Sequence, residues 1–245
     1  MSHQYRFYIS PETATATEVT LSAEESHHAI RVARCRVGEA VTLFDGRGRE
    51  LSGKVSDATE NACRVTVEEE RIQPKPSVEV ALVQACLNHE KVQDALIARA
   101  TELGVRRLVF FQGAHSEHAS RHRDKWARIA IESCKQCGRA WLPEFEEHKN
   151  LEEALVTLPD YTLLVAALTS PTSPLRDTLK GQRRVAIIIG PEGGLSDAEM
   201  EEARNAGAIS LSLGDATLRS ELAATVAAGI VLYELGALGE PGNGY

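Results

Sequence analysis

Over residues 63–68 apolar and polar positions alternate. Cys63, Val65 and Val67 point one way and Arg64, Thr66 and Glu68 the other, the period of a half-buried strand. Residues 6–9, 40–44 and 51–55 carry similar short runs, and Asp45-Gly46 closes the second with a turn pair. Between them, Ser22-x-x-Glu25 resembles a capping box and predicts a short helix through His28 and Val32. Short strands at this density predict a small β-barrel over residues 1–72. Gln73-Pro74-Lys75-Pro76-Ser77 then reads as a linker, because its two prolines favour extended chain and stop any helix.

The texture changes after the linker. Apolar runs at 78–85, 105–111, 161–167, 185–189 and 209–213 have the look of buried strands. Helical periodicity separates them. Val92, Leu96, Ala100 and Leu103 share one face of a helix over 88–103, with Gly104 as its stop. Trp126, Ile129, Ala130 and Cys137 share a face over 125–137. Ser196-x-x-Glu199 caps a helix through Met200 and Ala203, and a last helix covers 218–235 with Gly236 beyond it. Alternating strands and helices predict an α/β domain on a parallel sheet over residues 78–245.

Composition narrows the function classes. The chain has 245 residues, 43% of them apolar and 25% charged, which is ordinary for a globular protein. No apolar run approaches a membrane span, and the first residues lack the core of a signal peptide. Five cysteines, an odd number, fit free thiols in a reducing compartment, so a cytoplasmic protein is expected. The net charge of −8 argues against a nonspecific nucleic-acid coat. It is unevenly spread, however. Residues 73–149 hold 12 basic and 10 acidic side chains, whereas residues 150–245 hold 6 and 13, which leaves room for a local RNA-binding patch.

Two strand ends carry the candidate chemistry. Ile187-Ile188-Ile189 runs into Gly190-Pro191-Glu192-Gly193-Gly194, and Leu211-Ser212-Leu213 runs into Gly214. Open α/β sheets hold small molecules at such places. The first loop lacks the Lys-Ser/Thr of a P-loop and the spacing of a dinucleotide fingerprint. Glu192 at its centre repels phosphate and suits a ligand with cationic or hydroxyl groups, such as S-adenosylmethionine. A plain Gly-Pro turn with a solvated Glu is the competing reading. Leu218-Arg219-Ser220-Glu221 opens the last helix. An Arg there opposes the macrodipole, so it points either to function or to a simple pair with Glu221 or a neighbour.

Taken together, Gly190-Pro191-Glu192-Gly193-Gly194-Leu195-Ser196, Leu213-Gly214 and Leu218-Arg219-Ser220-Glu221 resemble the RsmE family. These are small-subunit rRNA uridine-N3 methyltransferases of the SPOUT class. The likeness continues through Ala100-Thr101-Glu102-Leu103-Gly104-Val105, Glu132 to Arg139 with Pro143, Arg6-Phe7-Tyr8, and Leu43-Phe44-Asp45-Gly46. The resemblance implies a PUA-like β-barrel RNA-binding domain followed by an α/β SPOUT domain with a C-terminal trefoil knot. It also implies a homodimer, and Ala223, Ala224, Ala227, Ala228 and Gly229 would let another helix approach; packing within the chain is the alternative. S-adenosyl-L-methionine is the implied cofactor. Its implied contacts are Ala167, Leu168, Ile189, Gly190, Pro191, Glu192, Gly193, Leu213, Gly214 and Leu218. The implied partner is small-subunit rRNA or the assembled small subunit, with no membrane.

The sequence also departs from the family pattern. Asp215, Ala216 and Thr217 replace Pro, Arg and Ile, and Ser220 and Leu222 replace two threonines. A non-catalytic or retargeted RNA-binding paralogue is therefore the alternative function. For catalysis, Arg219 is the candidate to stabilise charge on the uracil oxygens or hold a phosphate, with Glu221 or Glu132 as proton acceptor. Arg6, Arg31 and Arg34, together with Arg121, Arg123 and Arg139, are candidates for RNA contact. His115-x-x-His118-x-x-x-His122 with Cys134-x-x-Cys137 invites a zinc reading. The helical pattern around the cysteines opposes it, and no metal is expected.

Overall fold

The structure is a computed structural model that describes residues 5–14, 17–59, 62–116, 123–166 and 174–238. The chain divides into two compact units, one formed by Met1–Lys75 with Ile131–Leu142 and the other by Pro76–Ala130 with Pro143–Tyr245.

The first unit contains β1 (Tyr5–Tyr8), β2 (Glu18–Thr20), α1 (Ala23–His27), a π-helical turn (His28–Val32), β3 (Ala40–Phe44), β4 (Arg49–Thr59) and β5 (Ala62–Ile72). They form one sheet in the order β1-β3-β4-β5-β2, with β1 parallel to β3 and the other pairs antiparallel. Phe7, Val19, Leu43, Leu51 and Val65 are its buried centre. The β4–β5 ladder is eleven residues long on each side and slips register at Ser52/Gly53 and Val55/Asp57. Those slips break the alternation, so periodicity shows only part of each strand. At the first slip, a Cβ on Gly53 would lie 2.1 Å from the carbonyl oxygen of Thr66, and only glycine fits.

The second unit contains β6 (Glu79–Ala85), α2 (Glu90–Leu103), β7 (Arg107–Phe111), α3 (Arg123–Cys137), β8 (Glu144–His148), α4 (Leu151–Val156), β9 (Thr162–Ala166), α5 (Leu175–Leu179), β10 (Arg184–Ile189), α6 (Asp197–Asn205), β11 (Ile209–Leu211) and α7 (Ser220–Glu234). The part of α3 from Ile131 onward belongs to the first unit. The six strands form a parallel sheet in the order β11-β9-β10-β6-β7-β8.

Both faces of this sheet are covered, as an all-parallel sheet requires. On one face Leu82, Leu108, Phe110 and Ile187 pack with Leu96 and Ile97 of α2, Trp126 of α3, and Ala224, Ala227 and Val231 of α7. On the other, Val83, Val109, Phe111 and Ile188 meet Leu151 and Ala154 of α4 and Ala203 of α6. The strand order reverses between β6 and β10, which places a crevice at their carboxyl ends.

Candidate active site

The Gly190–Gly194 loop leaves β10 and folds back on itself, with the Gly194 N–H donating to the Pro191 carbonyl at 2.9 Å. A Cβ on Gly190 would sit 2.5 Å from the Leu195 nitrogen and 2.7 Å from the Gly194 carbonyl carbon. Glycine is thus a steric requirement at the start of the loop. The capping box opening α6 is present in both directions, Ser196 with Glu199. Glu199 does more than cap, because its Oε1 also accepts the Ala114 N–H at 2.8 Å. His115 Nδ1 lies 3.0 Å from the Gly194 carbonyl, and Ser116 Oγ donates to the Cys86 carbonyl at 2.6 Å. The loops after β6, β7 and β10 are therefore tied to one another.

Glu192 is exposed, and its carboxylate accepts the Asn88 N–H at 3.2 Å and 3.4 Å. α2 starts at Glu90 rather than at residue 88, because its N-cap His89 holds extended backbone, φ −115 and ψ 114. Gly214 has φ 102, left-handed backbone that favours glycine, and turns the chain after β11 towards α7.

Two adjoining hollows result. The first, about 310 Å3, lies at the ends of β9, β10 and β11. Its lining is Ala166, residues 189–195, Leu211, Leu213, Gly214, residues 216–218, Ser220 and Ala223, largely apolar side chains and peptide groups. The second, about 480 Å3, is lined by His89, Val92, Glu192, Thr217, Leu218, Arg219, Ser220 and Glu221. Glu192, Thr217, Leu218 and Ser220 line both, so the two share a wall.

Arg219 is the N-cap of α7 and makes no capping bond with its side chain. Ser, Thr, Asp or Asn would stabilise this position by about 1 kcal/mol more. Arg219 is exposed and forms no ion pair with Glu221 among the described residues. The free N–H groups at the start of α7 and the Arg219 guanidinium give this wall a positive character. Two carboxylates, Glu192 and Glu221, and one imidazole, His89, share the second hollow with it.

The sequence candidates thus fall into three groups. Ile189, Gly190, Pro191, Glu192, Gly193, Leu213, Gly214 and Leu218 line one hollow, and Arg219 and Glu221 line the other. Ala167, Leu168, Arg121, His118 and His122 lie outside the described residues. Glu132 lies in the first unit, where Lys135 donates to it at 2.7 Å. Sequence reasoning missed His89 and Gln84. Their available signals are a His at a helix start and a polar residue inside an apolar strand.

The basic candidates differ in setting. Arg6 pairs with Glu50 at 2.8 Å, lies over the Phe44 ring and donates to the Arg139 carbonyl, with a side chain only 15% exposed. It is engaged within its unit and has little surface to offer a phosphate. Arg31, Arg34 and Arg123 are exposed. Arg34 holds φ 56, left-handed backbone that is rare for a non-glycine residue.

The zinc reading finds no support in α3. Cys134 is buried, and its thiol is pushed far up by a bond with Cys137 and by burial, while Cys137 is exposed. Ligand atoms of Glu25, His28 and Glu132 lie within 4.8 Å of one another. Their centre is taken by the Lys135 ammonium, 2.5 Å from Glu25, 2.7 Å from Glu132 and 3.3 Å from His28 Nδ1.

Residues 73–232 match the model of the RNA methyltransferase domain, which is well over half of the chain, and residues 21–68 match the RNA methyltransferase PUA domain. The chain belongs to the RNA methyltransferase family. The small-subunit rRNA methyltransferase E of Buchnera aphidicola is 25% identical to this methyltransferase over 91% of the chain and 90% of its own length. That of Bacillus subtilis is 25% identical over 89% and 91%. The crystal structure of the Neisseria gonorrhoeae methyltransferase E bound to S-adenosyl methionine superposes with a TM-score of 0.86, 25% identity and coverage of 94% of this chain and 98% of its own. The fold is therefore an N-terminal PUA domain and an α/β methyltransferase domain.

Proposed function

We propose that this methyltransferase moves a methyl group from S-adenosyl-L-methionine to N3 of a uridine in small-subunit rRNA. One observation carries the reading: a cleft walled by peptide groups shares its wall with a hollow that presents Arg219 and Glu221. The cleft of about 310 Å3 is in the range of small-molecule sites, and its apolar and main-chain lining suits an adenosine. Glu192 at its edge suits a sulfonium and an amino group. Ile189 to Gly193, Leu213, Gly214 and Leu218 would hold the donor, with Ala167 and Leu168 added by the family likeness. When bound, the donor supplies an electrophilic methyl on sulfur.

The remaining chemistry falls to the chain. Uracil N3 carries a proton that must leave as the N–C bond forms. Glu221 is the acceptor in this reading, since it faces the same hollow as Arg219, whereas Glu132 is bonded to Lys135. Arg219 places its guanidinium against a uracil oxygen and stabilises the imidate charge as the proton departs. The rest of the rate comes from alignment of sulfur, methyl and nitrogen. The target base must leave its stack to enter the hollow.

The same proposal covers the wider molecule. Residues 1–72 serve as the RNA-binding domain, with Arg31 and Arg34 as candidate contacts there and Arg123 and Arg139 beyond it. Residues 73–77 act as linker and 78–245 as the catalytic domain, knotted at its C-terminal end as in the family. The enzyme works as a cytoplasmic homodimer on rRNA or the assembled small subunit. No helix among the described residues is long and apolar enough to cross a membrane. The test is transfer of labelled methyl to small subunits from a strain lacking this gene, followed by nucleoside mapping. N3-methyluridine is the expected product, and any other methylated nucleoside overturns the assignment. Arg219→Ala should lower kcat about 10²- to 10³-fold with the folded state intact by circular dichroism.

A further inference from the structure

Gln84 stands out in β6. The strand is otherwise Glu79 followed by apolar residues, and Gln84 is 0% exposed. A primary amide inside a sheet costs free energy unless its groups are bonded. Its Nε2 lies 2.9 Å from the Ala85 carbonyl, 3.0 Å from Ser220 Oγ and 3.2 Å from the Gly190 carbonyl. Ser220 Oγ in turn donates to the Gly190 carbonyl at 2.5 Å. Two carbonyl oxygens facing one end of the amide require the nitrogen there, so the orientation is fixed by chemistry. Gln84 Oε1 has no hydrogen-bond partner among the described residues. The amide is therefore held by its donors alone, at the cost of an unsatisfied acceptor.

The groups it holds are the first residue of the donor loop and the first residue of α7. Gly190 begins the loop that lines the cleft, and Ser220 stands between Arg219 and Glu221. One buried side chain from the central strand thus fixes both sides of the shared wall.

We infer that Gln84 is a positioning residue for methyl transfer: through Ser220 and the Gly190 carbonyl it sets the donor loop in register with Arg219 and Glu221. This deepens the proposed function and rests on it. The inference needs neither contact with donor nor contact with RNA. The tie between the loop and α7 runs through Ser220 Oγ and the Gly190 carbonyl, and Gln84 donates to both ends of it.

The experiment compares Gln84→Met, which keeps the bulk but cannot donate, with Ser220→Ala, Ser220→Thr and the Gln84→Met/Ser220→Ala double variant. Expected are a kcat lower by roughly 10- to 100-fold in Gln84→Met and Ser220→Ala, donor Kd within about threefold of wild type by calorimetry in Gln84→Met, and a smaller loss of kcat in Ser220→Thr, which keeps the hydroxyl, than in Ser220→Ala. The double variant should be no worse than either single change, because both break one connection. Amides of residues 190–194 and 219–222 should exchange faster together in both single variants. Additive losses, a donor Kd that rises in step with the loss of kcat, or wild-type exchange in both segments would overturn the inference. If wild type itself transfers no methyl to any RNA, the proposed function fails. Donor binding and hydrogen exchange in the same variants then decide the register claim, with independent exchange of the two segments sinking it.

Discussion

Gly190 shows how steric demand at one residue governs the site. A Cβ there would meet backbone of the same loop at 2.5 Å, and backbone cannot swing aside as a side chain can. Gly190→Ala should open the loop and weaken donor binding at least tenfold by calorimetry, while the thermal midpoint falls by only a few degrees. Glu192 and Arg219 were legible in the sequence because each breaks a local rule, a carboxylate between glycines and a cation at a helix start. Gln84 was not. Its hydrogen bonds reach Gly190 and Ser220, 106 and 136 positions away, and periodicity carries no such information.

At the scale of elements, what could be read from sequence followed burial. β6, β9 and β10 lie inside the sheet and appear as apolar runs, as does β7. β8, Glu144–His148, escaped because an edge strand with polar side chains lacks that signature. β2 is three residues long, and α4 and α5 are single short turns of helix, too brief for a period. The last helix begins two residues later than predicted because Leu218 and Arg219 serve the hollows instead.

Strand β8 also carries a pH-dependent bond. Burial pushes the Glu146 carboxyl up, but hydrogen bonds and charge from Arg107 on β7 outweigh it and hold it below its ordinary value. A lowered carboxyl stabilises the fold above its unfolded pKa near about 4.3 and loses that effect as pH falls through the lower folded value. Glu146→Gln should therefore lower stability at pH 7 by on the order of 1 kcal/mol, screened by solvent. The gap between variant and wild type in urea midpoint should close below about pH 4.

For the whole molecule, α7 divides the small-residue face expected to admit a second helix. Ala224, Ala227 and Ala228 are buried within this chain, where α7 packs on α2, whereas Ala223 and Gly229 are half-buried. The exposed face is instead Leu222, Ile230 and Tyr233, the last 66% exposed. If the proposed homodimer uses α7, that face carries it. Tyr233→Glu should then shift sedimentation from dimer to monomer at micromolar concentration, and an unchanged dimer would assign the contact elsewhere. The change from a β-rich N-terminal segment to alternating strands and helices was readable from texture alone. The membership of residues 131–142 in the first unit was not, because α3 is one continuous helical pattern.

The cleft at the strand ends owes much of its lining to peptide groups and small apolar side chains, and Ala216 and Thr217, which line it, are exposed. Peptide groups are identical at almost every position of any protein. Selection on a cleft of this kind acts on the path of the chain and leaves the spelling of its rim free to drift. A lineage can exchange such letters over long spans of evolution while its chemistry stays where it was.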